Sequence, residues 1–450
     1  MTDTSATQLT ILEDLLGRAK RAGADAADAL IAKGGSHSVA QRLGKPESVE
    51  RSEGQDLELR VFVGQRQAVV SSTDLSSEAM DSLVEKALAI AKVAPEDPYA
   101  GIADPSQIAR NWPEIERCDP KEVSTETLVD WAKRAEEAAL AVKGVTNSEG
   151  GEASAGLTEV AFAASNGFAG GYKRSSFSIV ASVLAGTGQD MQRDYDYTAK
   201  VFVEDLKSPE EVGTKAGERA VARLNPKRPK TAKIPVVFDK RVSSSILGHL
   251  SGAINGSSIA RGTSFLKDRM GEQIFSDKIQ VIDDPHRPRG FRSRPFDGEG
   301  LATQKRAFIE NGVLKSWVLD LATARQLGLE STGNASRGAG SPPRPGMSNL
   351  YMDNGSRSLE ELIADIEEGF YIDEMIGSSV NLVTGDYSRG ASGFWIEKGK
   401  ITFPVSEMTI AGHLNEIFSS LVAANDLEFK SGTDAPTLRI EGLTVAGSDA

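Results

Sequence analysis

The sequence predicts an α+β protein in two parts. Residues 1–228 read as an N-terminal α+β domain. Residues 229–450 read as a C-terminal domain with a large curved, mostly antiparallel, barrel-like sheet and a few helices. Three observations lead there. Strand patterns come in hairpin-like pairs rather than singly between helices, which disfavours a doubly wound sheet. Asn166-Gly167 and Asn311-Gly312 are strong hairpin turn signals, each between two extended runs. The segment Asn225-Pro226-Lys227-Arg228-Pro229-Lys230 is short, proline-rich and basic, as a boundary between halves should be.

The elements follow in order. Leu9, Leu12, Leu15, Leu16 and Ala19 fall on one helical stripe that ends near Gly23. Ala27–Ala32 and Ser38–Leu43 read as two extended segments, and Leu57–Val63 alternates as a half-buried strand. A helix from about Leu75 to Val93 starts at an Asp74 or Ser76 cap. The Pro95–Pro113 stretch reads as a surface loop pinned by Trp112, and a third helix runs from about Thr125 to Val142. A meander follows, with Thr158–Ala164 and Phe168–Arg174 flanking Asn166-Gly167 and with a bulge at Gly170-Gly171. Ser208-Pro209-Glu210-Glu211 opens a helix with a cap, a first-turn proline and a glutamate at the third position.

In the second half, a strand at Ile234–Phe238 precedes a helix over Ser243–Ile254. Lys278–Ile282 is a strand, Thr303–Glu310 and Val313–Leu319 make the hairpin at Asn311-Gly312, and Ala322–Leu327 is a short helix closed by Gly328. Gly333–Gly346 holds four glycines, three prolines and two arginines in 14 residues, and reads as a long irregular loop. Ser358-Leu359-Glu360-Glu361 opens a helix with a capping box. Strands then dominate up to Val405, Ala411–Ala423 reads as a last helix and Thr437–Val445 as a last strand.

Composition bounds the function. The net charge is −13, from 51 basic and 64 acidic residues. That makes direct binding to a phosphate backbone unfavourable, and no apolar run approaches the length of a membrane span. The N-terminus lacks the basic and apolar regions of a secretory signal. Cys118 is the single cysteine, so no internal disulfide and no cysteine-rich zinc cluster can form. These features predict a cytoplasmic protein without a membrane role.

Ser243–Ile254 is the stretch with most chemical interest. Its small residues permit close approach of other backbones, and it holds His249, one of four histidines. Alone, a helix histidine of this kind is expected to hydrogen-bond locally. A hydrolase using Ser245 and His249 is disfavoured, because no Gly-x-Ser-x-Gly elbow and no acidic orienter are evident. His286, beside Asp283 and Asp284, has ligand-type neighbours but no recognisable third ligand.

Several motifs carry a family resemblance. They are Gly262-Thr263-Ser264, Ile309-Glu310-Asn311-Gly312, Thr332-Gly333-Asn334, Met347-Ser348-Asn349, Trp395-Ile396-Glu397-Lys398-Gly399, Asn425-Asp426-Leu427, and the ending from Pro436 to Gly447. Together with the Ser243–Phe265 segment they resemble the TldD/PmbA family over the whole chain, most specifically from Gly262 onward. In that family a zinc-bearing member, TldD, carries H-E-x-x-x-H on a helix and pairs with a PmbA/TldE member. If His249 stands at the second histidine, Ser244 and Ser245 stand where the first histidine and the glutamate would be. Nor is there room after Asn425 for the cysteine-bearing segment of the zinc member. The chain therefore resembles the PmbA/TldE branch. Serine hydroxyls are poor substitutes for a zinc ligand and a general base.

The resemblance implies no catalytic residue, metal or cofactor in this chain. It implies zinc on a TldD-like metalloprotease subunit as partner, acting on unfolded or peptide substrates, for which a curved sheet could offer strand addition. A binding or regulatory role without proteolysis, on a toxin–antitoxin or gyrase system, is the other reading. The expected substrate- or partner-binding residues are His249, Arg261 in the following loop, Phe291 and Phe296 in a polar surround, and Asn334, Arg337 and Arg344 of the irregular loop.

Overall fold

The computed structural model describes residues 3–447. The first half begins with α1 (Asp3–Arg21), β1 (Ala26–Arg42), β2 (Lys45–Val63), β3 (Arg66–Ser72) and α2 (Ser77–Val93). It continues with α3 (Thr125–Leu140), β4 (Val145–Ala164), β5 (Ala169–Ala185), β6 (Gln192–Lys200) and α4 (Pro209–Ala222). The six strands form one antiparallel sheet in the order β3-β2-β1-β4-β5-β6. One face is covered by helices. Leu12, Leu15 and Ala19 of α1 and Leu83, Val84 and Ala87 of α2 pack on Ala29, Ile31, Leu59 and Ala161. Ala135 and Ala139 of α3 and Val212, Ala216 and Ala220 of α4 pack on Ile179, Ala181 and Val183. The opposite face carries Leu30, Phe162 and Ala164, which meet the second half.

Two features depart from the sequence reading. The extended segments at Ala27–Ala32 and Ser38–Leu43 are one strand, running straight through Gly34-Gly35. Strands on both sides supply its ladder there, Gly34 opposite Gly54 and Thr158, and this overrides the low strand preference of glycine. Gly170-Gly171 is not a bulge, since the register passes through it unbroken, and the β4–β5 irregularities lie at Val145–Asn147 and Ser148–Gly150. Gly170 serves close approach instead: a Cβ there would lie 2.8 Å from the Phe296 ring.

The second half holds β7 (Ala232–Phe238), α5 (Ser244–Ala253), α6 (Gly256–Ala260), β8 (Val281–Asp283), β9 (Arg306–Glu310), β10 (Val313–Leu314) and α7 (Leu321–Leu327). Then come β11 (Ala335–Ser336), β12 (Arg344–Pro345), β13 (Leu350–Met352), α8 (Leu359–Ile363), β14 (Glu368–Val380), β15 (Asp386–Glu397) and β16 (Lys400–His413). The chain closes with α9 (Leu414–Ser420), β17 (Val422–Ala423), β18 (Thr433–Asp434) and β19 (Leu438–Ala446). Strands β7, β14, β15, β16 and β19 pair in a ring, closed by Thr409, Ile410 and Ala411 of β16 against Ala446, Val445 and Thr444 of β19. Only β7–β14 is parallel within this barrel. Closure removes the exposed edges that an open sheet would leave. The barrel's inner rows share one hydrophobic core with Ile246, Leu247 and Leu250 of α5.

The expected helix over Ala411–Ala423 is mostly something else. Strand β16 runs on to His413, whose ring then caps the short α9 by accepting from the Asn415 N–H at 3.2 Å. Pairing with both β15 and β19 holds Ile410 and Ala411 in the barrel wall.

Candidate functional site

Helix α5 follows β7 directly and is anchored at its start by Ser243, fully buried, whose Oγ donates to the Ala435 carbonyl at 3.1 Å. Its apolar residues Ile246, Leu247 and Leu250 are fully buried. Its other face is made of Ser245, Gly248, His249 and Gly252, three or four residues apart and therefore together. Ser245 Oγ donates to the Val242 carbonyl at 2.6 Å and lies 3.6 Å from Met375 Sδ. His249 is half-buried and stands edge-on to Tyr387, with ring centroids 5.7 Å apart at 78°. Contrary to the expectation of a local hydrogen bond, its Nε2 is buried without a partner. Burial, with the charge of Arg389, pushes its pKa down to about 4, so the ring is neutral at pH 7.

This donor set does not suit a catalytic zinc. His249 faces a phenol and a guanidinium rather than further ligands. Among the described residues no group of three histidine, cysteine, aspartate or glutamate side chains is placed to hold a metal ion. His286 Nε2 is instead within 2.9 Å of Thr303 Oγ1. Asp283 accepts from Asn334, from the Ser348 N–H and from its hydroxyl, while burial raises its pKa.

The remaining expected residues are dispersed. Arg261 is exposed at the end of α6, and Arg344 is exposed on β12. Asn334 is buried and its Nδ2 donates to Asp283 Oδ2 at 2.9 Å, so it is closed to a substrate. Arg337 is closed likewise. Its side chain is 1% exposed and spans the two halves, with Nε donating to Glu58 Oε1 at 2.6 Å and Nη2 lying 2.7 Å from Asp28 Oδ1. The irregular loop is thus tied down by its own polar residues. Phe296 is 3% exposed and sits among Trp112, Phe168 and Tyr172, with centroids 4.9–5.7 Å away. It joins the two halves of this chain and is unavailable as an anchor for another. Phe291 is half-buried and lines a cavity of about 400 Å³ with Lys200, Arg287, Arg289 and Phe429.

Three residues escaped sequence reasoning. Tyr387 and Arg389, which face His249, lie in a strand whose polar and apolar residues gave no functional signal. Glu299, 4% exposed, is pushed up to about 8 by burial and by the neighbouring Asp297. A wide cleft of about 1170 Å³ also opens on the helix-covered face of the first sheet, lined by Lys33, His37, Arg51, Glu53, Cys118 and Lys173.

An antiparallel six-stranded sheet joined to a closed five-stranded barrel that shares its core with α5 defines a class with known members. The PmbA/TldA metallopeptidase C-terminal domain matches residues 231–447, the central domain 118–224 and domain 1 27–91. The chain belongs to the PmbA/TldA metallopeptidase family. It is 37% identical to the metalloprotease PmbA of Escherichia coli O157:H7 over 98% of this chain and 97% of that one. It is 35% identical to a metalloprotease PmbA homolog of Haemophilus influenzae, over 96% and 94%. Among solved structures, a putative modulator of DNA gyrase from Bacteroides thetaiotaomicron superposes with a TM-score of 0.91 at 29% identity, covering 99% of this chain and all of that one. TldE from Thermococcus kodakarensis has the same fold, with a TM-score of 0.87 at 22% identity over 97% of this chain and all of that one. No helix among the described residues is long and apolar enough to cross a membrane.

Proposed function

We propose that this chain is the zinc-free subunit of a two-subunit cytoplasmic peptidase, and that a TldD-like partner supplies the metal. The observation that carries this reading is the surroundings of His249. In a chain of a metallopeptidase family, the one histidine of the central helix faces Tyr387 and Arg389, with Ser244 and Ser245 where a ligand and a base would be needed. A guanidinium beside it opposes a divalent cation electrostatically. The chain's own contribution is then structural: it completes the partner and holds extended unfolded or peptide substrates. Partner contact falls on the second half, where Phe291 and Arg344 are accessible, and a stable interface there needs about 1,200–2,000 Å².

The test is co-purification with a TldD-like relative that has an intact H-E-x-x-x-H motif, followed by elemental analysis and peptide digestion. The pair should carry zinc and cleave unfolded peptides, the isolated chain should do neither, and His249→Ala should leave the metal content of the pair unchanged. About one tightly held zinc per isolated chain, lost in His249→Ala, would overturn the reading, and so would failure of the two chains to associate.

A further inference from the structure

Strand β15 places an arginine in an inner row of the barrel. Tyr387, Arg389 and Ala391 alternate along the strand and share one face. Tyr387 and Ala391 are each 2% exposed and belong to the main core. The residue opposite Arg389 on β16 is Ile410, fully buried. Arg389 makes no ion pair among the described residues, and its Nε is buried without a hydrogen-bond partner.

Two more unpartnered atoms lie beside it, Tyr387 Oη and His249 Nε2, both buried. The histidine and tyrosine rings meet edge to face, and the charge of Arg389 acts on both. A guanidinium only donates hydrogen bonds, a phenol donates readily, and a neutral imidazole donates from one nitrogen. Buried polar groups are ordinarily paired, so three in one place point to an absent partner. The partner that satisfies all three accepts several hydrogen bonds and carries negative charge. The rim is apolar. Met375, opposite Ala391 on the same face as Arg389, and Leu382 pack against the core, and Met375 Sδ lies 3.6 Å from Ser245 Oγ. Leu382 Cδ1 lies only 2.8 Å from where a Cβ on Gly252 would be, so the β14–β15 hairpin and the small-residue face of α5 border one site.

We propose that Arg389, Tyr387 and His249 form a carboxylate-binding site that takes the C-terminal carboxylate of a peptide, with the side chain of its last residue against Met375 and Leu382. That the carboxylate belongs to a peptide rests on the proteolytic reading above; the carboxylate site itself rests on the geometry alone. The planar guanidinium matches a carboxylate in a way that a lysine ammonium does not.

The test uses the isolated full-length chain and needs neither partner nor activity, so its failure would leave the two-subunit reading standing. The ring signals of the four histidines are followed by NMR, with His249 assigned through His249→Asn. N-acetyl-leucine should shift the His249 signals in a saturable way, and N-acetyl-leucinamide, which lacks the charge, should not. N-acetyl-aspartate α-amide tests a side-chain carboxylate: binding weaker than N-acetyl-leucine supports a chain end, and equal binding supports the carboxylate site with either source. Arg389→Gln should weaken N-acetyl-leucine about ten-fold or more, and Arg389→Lys should recover only part of that. A melting curve confirms that each variant is folded; should Arg389→Gln not fold, the acid–amide comparison on the unaltered chain still decides. If acid and amide shift His249 equally, or neither does, the site holds only water and the proposal is overturned.

Discussion

Replacing Arg337 with methionine should loosen the two halves from each other, and more so at alkaline pH. Arg337 belongs to the second half, while Asp28 and Glu58, which it bridges, belong to the first sheet and are 1% and 0% exposed. Asp28 would keep Arg60, whose Nε lies 3.0 Å from its Oδ2. Glu58 would keep only the Gly340 N–H. Removing one partner of a buried pair costs about 3–5 kcal/mol, because the remaining charge is left uncompensated.

The pH dependence follows from Glu58. Burial already holds its pKa above the ordinary value with Arg337 in place, and loss of the arginine raises it further. A carboxyl with a raised folded pKa binds a proton on folding, so its penalty is absent below the unfolded pKa and grows as pH rises toward the folded one. Arg337→Met should therefore approach the parent protein near pH 5 and fall furthest below it near pH 8. Adding Glu58→Gln should recover part of the loss at pH 8 by removing the stranded charge. A chain of this size with two cores need not unfold in one step. The assay is therefore scanning calorimetry at both pH values, read as transition midpoints and their separation. An Arg337→Met trace at pH 8 that superposes on the parent's would refute the reasoning.

Two other substitutions give sharp expectations. Glu299, held near a pKa of about 8 by burial and Asp297, is protonated when folded at neutral pH, so its contribution should lose about 1.4 kcal/mol of stability per pH unit between its unfolded pKa and 8. Glu299→Gln keeps an acceptor for the Leu321 N–H and should flatten that slope in denaturation midpoints; parallel pH profiles would contradict the assignment. Phe296→Ala should cost about 3–5 kcal/mol by opening a cavity between Trp112, Phe168 and Tyr172, and show as a lowered melting temperature. Phe291→Ala should instead spare melting and weaken co-elution with the partner in size-exclusion chromatography.

Local chemistry was legible where the side chain and backbone involved are neighbours. Ser208 with Glu211 and Ser358 with Glu361 form the capping boxes their spacing announces. Asn311-Gly312 and Lys398-Gly399 both adopt paired positive φ, as two-residue hairpin turns require. Asn166-Gly167 has the same dipeptide signal but only Gly167 has positive φ: the connection is four residues long, with Asn166 Oδ1 accepting from the Phe168 N–H at 3.1 Å and its Nδ2 donating to the Ala103 carbonyl at 2.9 Å. Of these, the bond to Ala103 lies outside the hairpin, where no local pattern could report it. The long strands were cut short for a related reason. Propensity marked glycines and serines as breaks, while the pairing that carries β1 through Gly34-Gly35 comes from residues about 20 and 124 positions away, as Gly54 and Thr158 show.

The polar residues divide on the same principle. Arg337 and Arg344 sit seven positions apart in one Gly/Pro-rich stretch, and both were expected to contact substrate or partner. One is sealed against Asp28 and Glu58, the other exposed. Which acid lies across the fold decides it, and Asp28 and Glu58 are about 300 positions away in sequence. Arg389 is the converse case. Its strand places it between Tyr387 and Ala391, so alternation alone puts it on the inner face, yet no acid among the described residues pairs with it. An arginine that finds an acid is part of the scaffold. An arginine turned inward beside an unpaired phenol and an unpaired imidazole is a place where the fold leaves its electrostatics to be completed from outside. That distinction, rather than the identity of the helix histidine alone, separates the structural charges of this protein from those available for function.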